Sequence, residues 1–255
     1  MSPQKQWKII GRKLVPNNSY EAKELPWDTE YFGVKAARVD LLAPATLSDQ
    51  DRILGYCREF DFVTISNHNN TPENNLWIGT RTPAFLADMN IQFIKGLENN
   101  QINADSHCVI VNALPRTEEI TQIAAGAYRH SRFFNDPKLP EEQARNVYKH
   151  WTECAFGQTS KYFVIDERNS AAVGYLLFSI DEDSCIIELI AVSPPYQGKK
   201  IGQSLLSALE SYAMKNSLKR VKVGTQVSNT SAIRFYSKMG YTFSGCSSLY
   251  HLWKS

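Results

Sequence analysis

The sequence is poor in cysteine and has no paired cysteines. Cys57, Cys108, Cys154, Cys185 and Cys246 are scattered with no CxxC spacing. This excludes a disulfide-stapled scaffold and a thioredoxin-type motif, and reduced thiols are expected instead. His68, His107, His130, His150 and His251 do not join those cysteines at ligand spacing, so no metal site is expected. A dominant charge is also missing. With 28 basic and 26 acidic residues the formal net charge is +2, too little for a global field toward nucleic acid or membrane. There is no run of about 18 apolar residues, and the opening MSPQKQWKIIGRK has no apolar core of a signal peptide. Internal repeats and low-complexity tracts are not evident. A soluble, cytoplasmic chain with no nucleic-acid or membrane partner is the expectation.

What is present suffices for a core. Hydrophobic residues make up 43% and aromatics 11% of 255 residues, enough for one large or two small domains. The N-terminal third is broken by Asn, Pro and Asp. Its clearest elements are a strand at Lys35–Leu42, a helix at Leu47–Phe60 and a strand at Asp61–Ser66. By composition His68–Asn75 (HNNTPENN) and Asn99–Asp105 (NNQINAD) are expected to be loops. The second of these marks the expected boundary between an N-terminal domain, residues 1–105, and a C-terminal domain, residues 106–255.

The pattern then sharpens. Cys108–Ala113 reads as a buried strand, and Thr117–Tyr128 and Glu141–Phe156 as helices. Tyr162–Asp166, Val173–Ile180 and Cys185–Val192 are successive strand candidates, separated by the turn signals Asn169–Ser170 and Asp181–Asp183. Ile201, Leu205, Leu206, Leu209, Tyr212 and Ala213 follow helical spacing. Val221–Val227 is a strand, Thr230–Lys238 a helix, and Tyr241–Cys246 and Leu249–Trp253 two closing strands. Hairpins and crossovers mixed in this way imply an α/β (α+β) fold with a mixed sheet flanked by helices.

The most informative segment is Glu188–Leu206, ELIAVSPPYQGKKIGQSLL. An apolar strand ends at two prolines, and a short loop then opens an amphipathic helix. Amides at a helix start lack intrahelical acceptors and suit an anion such as a pyrophosphate. Gly198 and Gly202 remove side chains where a ligand might approach, and Lys199 and Lys200 add positive charge.

The wording of this loop resembles the Q/R-x-x-G-x-G/A signature of the GCN5-related N-acetyltransferase (GNAT) superfamily. It is matched by Gln197, Gly198, Lys199, Lys200, Ile201 and Gly202, with Lys200 where the middle glycine would stand. Backbone angles at a helix start are open to any residue, so Lys200 is expected to offer its N–H still. The resemblance implies acetyl-CoA as co-substrate, its pyrophosphate on residues Gln197 to Gln203. It also implies that the pantetheine arm pairs with the backbone of Ile190, Ala191 and Val192, whose strand splays from its neighbour. The N–H of Val192 would polarise the thioester carbonyl. The N-x-x-A-x-x-x-Y-x-x-x-G-Y arrangement beginning at Asn229 is the family's second hallmark. It implies that Asn229 bonds the pantetheine region, and that Tyr236, two helical turns on, is the general acid at the sulfur. Asn229 also reads as a plain N-cap and Tyr236 as a core aromatic. Glu188 lies on the same strand face as Val192 and is the candidate base, with an ordinary cross-strand carboxylate as the alternative.

Within the superfamily the chain is similar to the TDP-fucosamine acetyltransferases. The shared pieces are L-x-W-D-T-E-x-F-G (Leu25–Gly33), S-R-F-x-x-D-P (Ser131–Pro137), Tyr148 with Trp151, and T-Q-V-x-N-T-x-A. This resemblance implies a mostly antiparallel central sheet and an N-terminal domain that is a reduced copy of the fold. It further implies a TDP-linked amino-deoxy sugar as acceptor, with Arg132 as a substrate contact. Alternatives are another small-molecule amine such as an aminoglycoside, a protein N-terminus, or a non-catalytic acyl-CoA-binding module. The oligomeric state, a homodimer included, stays open.

Overall fold

In a computed structural model, residues 19–97 and 107–254 are described. The expected boundary at 105/106 and the loop Asn99–Asp105 lie outside them. The chain forms two compact units.

The first unit comprises residues 1–91, 131–144 and 245–255. Strands β1 (Tyr20–Glu24), β2 (Ala36–Leu41) and β3 (Phe62–His68) are followed in space by the C-terminal part of β10 (Thr242–Trp253). β1 pairs antiparallel with β2, β2 parallel with β3, and β3 antiparallel with β10. Helices α1 (Pro26–Phe32) and α2 (Leu47–Cys57) connect β1 to β2 and β2 to β3, and α3 (Pro72–Arg81) follows β3. The parallel β2–β3 pair needs a crossover, and α2 supplies it, opened by a capping box between Thr46 and Asp49. Ile53 and Cys57 of α2 pack with Val39, Leu41, Val63 and Ile65 in one core.

Several N-terminal elements depart from expectation. The segment at 68–75 is not all loop, because α3 begins at Pro72. Asn69 and Asn70 do form a turn at positive φ, but Asn74 is buried in a polar network. Asn74 Nδ2 donates to Ala43 O and to Asn67 Oδ1, and Asn74 Oδ1 accepts from Ala45 N and Trp77 Nε1. Every donor and acceptor of that side-chain amide is thereby matched. The LPWDTEYFG segment forms α1, with proline in the first turn and Gly33 ending it at φ 71°. The two closing strands are a single strand, β10, and β4 (Phe85–Gly96) arises where no element was expected.

The second unit comprises residues 92–130 and 145–244. Its strands lie in the order β9 (Arg220–Gln226), β8 (Ser184–Val192), β7 (Ala171–Asp181), β6 (Tyr162–Arg168), β5 (Cys108–Asn112). β5 to β8 are antiparallel, and β8 pairs parallel with β9 through the helix α6 (Ile201–Lys215). Leu205, Leu206, Leu209 and Ala213 of α6 are fully buried, which is the helical spacing read from the sequence. Helices α4 (Glu118–Ala127), α5 (Glu141–Ala155) and α7 (Thr230–Lys238) complete the set, α5 starting within the first unit. The architecture is a mixed α/β fold with sheet flanked by helices. Among the described residues no helix is long and apolar enough to cross a membrane.

Candidate active site

The site begins where two strands part. β8 and β9 are in register from Ser184↔Arg220 to Ile187↔Val223, and that ladder ends there while β8 runs on to Val192 and β9 to Gln226. A bulge at the same level marks the divergence: Leu177 opposes Leu189 and Phe178 opposes Ile187, so Glu188 is the extra residue.

On its other edge β8 stays bonded to β7. Ser193 N donates to Val173 O at 2.9 Å, which makes Ser193 and Val173 a hydrogen-bonded pair. Antiparallel pairs alternate, so Ala191 directs its backbone groups toward Tyr175, and Ile190 and Val192 direct theirs toward the parted edge. The carbonyl of Val192 accepts from Gln197 Nε2 at 3.1 Å. Behind this strand stands Gly174, where a Cβ would come within 2.9 Å of Ile201 Cγ2 and 3.1 Å of Ala191 O. Its bare backbone lets α6 lie close against the sheet.

Past Val192 the chain makes a short 3-10 turn, Pro194–Tyr196, and then a loop that enters α6. Gly198 has φ 77° and Lys200 φ 63°. Lys200 is thus left-handed, and the expectation of ordinary helix-start angles at this residue is corrected. A non-glycine residue pays about 1–2 kcal/mol for this conformation. α6 has no side-chain cap, so the amides of Ile201, Gly202 and Gln203 have no intrahelical acceptor. Lys199 Nζ lies 4.9 Å from the centre of the Tyr196 ring. Gly202 meets protein, not open space, since a Cβ there would stand 3.2 Å from Phe235 Cζ. These uncapped amides, the two left-handed residues and two lysines form a seat of the kind a pyrophosphate requires.

A cleft of about 410 Å³ lies in the parting of the strands. Glu188, Leu189 and Ile190 line one wall, and Val223, Gly224 and Thr225 the opposite one. Asn229 and Tyr236 of the α7 segment close one side, with Pro194 and Gln197 near the loop. Asn229 caps α7, its Oδ1 accepting from Ala232 N at 3.1 Å and Ser231 Oγ at 2.8 Å. Tyr236 is 3% exposed and packs on Phe93 and Tyr241. Burial raises its phenol well above the ordinary tyrosine range, so it stays protonated. Glu188 is exposed, its Oε1 paired with Lys161 Nζ.

The remaining wall was not read from the sequence. Tyr128, Arg129 and His130 follow α4, joined by Tyr148 and Gln226. The rings of Tyr128 and Tyr148 stack with centroids 4.3 Å apart. Thr152 Oγ1 donates to Tyr148 O at 2.9 Å, which leaves it to accept from Tyr175 Oη at 2.9 Å. Tyr175 Oη in turn lies 3.1 Å from Tyr128 Oη. Both phenols are held above their ordinary range by burial, Tyr175 at about 12. Tyr128 thus spends its hydroxyl inside the protein and offers the cleft its ring. The helix-like spacing of Tyr148, Trp151 and Thr152 gives no hint of this in sequence.

Arg132 belongs to the first unit. Its guanidinium carbon lies 4.2 Å from the centre of the Phe133 ring, and its charge acts on the buried Asp28. The motif around it is an anchor. Asp136 Oδ2 accepts from Trp253 Nε1 at 2.9 Å and lies 2.6 Å from His251 Nδ1, while Asp136 Oδ1 accepts from Lys138 N at 2.9 Å.

Parted strands, an uncapped helix start and a buried phenol all belong to the second unit of this α/β fold. The sequence profile described as "Acetyltransferase (GNAT) family" matches residues 118–241. The spore coat polysaccharide biosynthesis protein SpsD of Bacillus subtilis is 33% identical over 137 residues, 54% of this chain and 47% of SpsD. The uncharacterized N-acetyltransferase MJ1530 of Methanocaldococcus jannaschii is 35% identical over 107 residues, covering 40% of this chain and 69% of that protein. The crystal structure of a GCN5-related N-acetyltransferase from Sphaerobacter thermophilus superposes with a TM-score of 0.63 at 12% identity, over 92% of this chain and 77% of the other. The chain belongs to the GNAT acetyltransferase family. Its match spans about half the length of SpsD, at 47%.

Proposed function

We propose that the protein is an acetyl-CoA-dependent N-acetyltransferase acting on the amine of a TDP-linked amino-deoxy sugar in the cytoplasm. The observation that carries the reading is the cleft between β8 and β9, lined by Gln197 of the loop that leads into α6 and by Tyr236 of α7. The name of SpsD, a polysaccharide biosynthesis protein, supports a sugar acceptor.

Bound acetyl-CoA would supply an activated thioester. The protein's own groups then have distinct tasks. The backbone edge of Ile190 and Val192 holds the arm of the cofactor as a neighbouring strand would, and the Val192 N–H donates to the carbonyl oxygen that gains charge. Lys199, Lys200 and the amides from Ile201 to Gln203 hold its phosphates. Asn229, while capping α7, fixes the helix that carries Tyr236. The Tyr236 phenol, kept protonated by burial, donates its proton to the departing sulfur, a step worth roughly 10²–10⁴-fold. Glu188, one oxygen engaged by Lys161, accepts the amine proton directly or through water.

The test is free-thiol release from acetyl-CoA with a panel of TDP-amino sugars, aminoglycosides and peptides. Release with TDP-amino sugars supports the reading. Release only with peptides or aminoglycosides overturns the acceptor, and release with none overturns the activity.

A further inference from the structure

We propose that Arg129 is the anion-recognition residue of the acceptor subsite, so that the amine substrate carries a phosphate or carboxylate that pairs with this guanidinium. The inference rests on the cleft being the place where the acceptor binds.

Two residues of fixed charge line the cleft, Arg129 and Glu188. The charge of Glu188 is offset by Lys161. Arg129 is exposed, and no carboxylate lies within ion-pair reach of it among the described residues. Three arginines of this unit are paired, Arg116 with Glu153, Arg168 with Asp166 and Arg220 with Asp183, and none of them lines the cleft. The cleft therefore carries one uncompensated positive charge, and it belongs to a bidentate, planar donor suited to oxyanions.

Its neighbours hold it in place. α4 ends at Ala127, and Tyr128 turns the chain into an extended path at φ −87° and ψ 129°. Tyr128 is fixed by its stack on Tyr148 and its bond to Tyr175. His130 is fixed twice, its carbonyl accepting from Tyr148 Oη at 3.2 Å and its Nδ1 lying 3.3 Å from Ser228 Oγ. Arg129 is thus mounted between two anchored residues, which lowers the ordering cost of using it. The flat face of Tyr128 beside it, with Gln226, suits a ring bearing hydroxyls. The cofactor's phosphates have their own seat at the start of α6, on a different element, so this charge is not needed there.

The test uses the full chain saturated with coenzyme A, which occupies the α6 seat, and calorimetric titration with three amino sugars: glucosamine 6-phosphate, muramic acid and neutral glucosamine. At least one anionic ligand is expected to bind about tenfold or more tighter than glucosamine, the range of a charge-assisted bond. The phosphate and carboxylate arms tell which oxyanion is preferred. Arg129→Gln should abolish the preference, Arg129→Lys should keep part of it, and both should bind coenzyme A as the parent does. Equal affinity for all three ligands, no binding by any, an unchanged Arg129→Gln variant, or an equal loss of coenzyme A affinity would each overturn the proposal. Acetyl transfer is scored separately by thiol release, so a protein that binds anions through Arg129 but transfers nothing would sink the proposed reaction and not this site.

Discussion

Gly202 and Phe235 meet where α6 approaches α7, closely enough that a side chain at Gly202 would press on the ring: a Cβ there would stand 3.2 Å from Phe235 Cζ, so the ring would have to give by a few tenths of an ångström. Phe235 precedes Tyr236 on α7, and their rings lie 5.3 Å apart. The last glycine of the anion loop thus bears on the helix that carries the phenol.

Gly202→Val should therefore displace α7, at a stability cost of about 1–3 kcal/mol from overpacking. The expected outcome is a lower thermal midpoint together with a fall in turnover larger than the fall in coenzyme A affinity. Equal losses in both would show that Gly202 matters only to the cofactor loop.

At Lys200 the backbone and the side chain pull in opposite directions. Lys200→Gly removes about 1 kcal/mol of left-handed strain and should raise the thermal midpoint. Lys200→Glu keeps the strain, reverses the charge and should weaken coenzyme A binding several-fold at low salt, with the effect shrinking as salt is added. Calorimetry at two ionic strengths separates the cases. A salt-independent loss would place the defect in the loop's shape.

Tyr236→Phe should lower kcat by about 10²-fold or more with little change in KM for acetyl-CoA, as expected for a proton donor used in the transition state. Because burial raises the phenol, deprotonation of Tyr236 should produce no falling limb in the rate profile up to about pH 10, the unperturbed value. A falling limb below that pH that vanishes in the phenylalanine variant would contradict the environment described.

Much of this was readable in advance, for physical reasons. The elements of the second unit follow helical or strand periodicity because each buries one face, and α7 was read to its residue bounds, Thr230–Lys238. The loop from Pro194 to Lys200 that leads into α6 was readable as a loop because its prolines and glycine are local signals. The first unit was harder. Asn74 looks like one more turn residue beside Asn69 and Asn70, and only its partners at Ala43, Ala45 and Trp77 show it to be a buried anchor. The left-handed Lys200 was missed because a lysine gives no sign of positive φ. Tyr128 was read only as the end of a helix and Arg129 was passed over, because the wall they form with His130, Tyr148 and Gln226 depends on distant contacts.

His251 and Asp136 make the first unit acid-sensitive. His251 is fully buried, and desolvation lowers it below its ordinary value of 6.5 although Asp136 opposes that shift. The unfolded chain therefore binds the histidine proton more readily, and stability should fall as the pH drops below about 6.5. Asp136, lowered from 3.8 by its bonds to His251 and Trp253, adds a second loss as the pH falls below that value. Denaturant titrations from pH 8 to 3 should show the first decline in the parent and a flatter curve in His251→Gln. Asp136→Ala leaves His251 Nδ1 and Trp253 Nε1 without their acceptor and should cost about 1–3 kcal/mol for each donor left unsatisfied at neutral pH. A parent curve level between pH 7 and 5 would count against the buried neutral histidine.

Where the ladder between β8 and β9 stops at Ile187↔Val223, the sheet leaves main-chain groups for a non-protein chain to complete. A cofactor laid there acts as a strand supplied from solution, so tightening of this region becomes a matter of mass action. Ligand at a hundred times its dissociation constant would add about 2.7 kcal/mol to the folded state. On the proposed binding mode, the amides of Ile190 and Val192 should then exchange with solvent at a pace set by how much coenzyme A is at hand, which would tie the firmness of this edge to the supply of the cofactor.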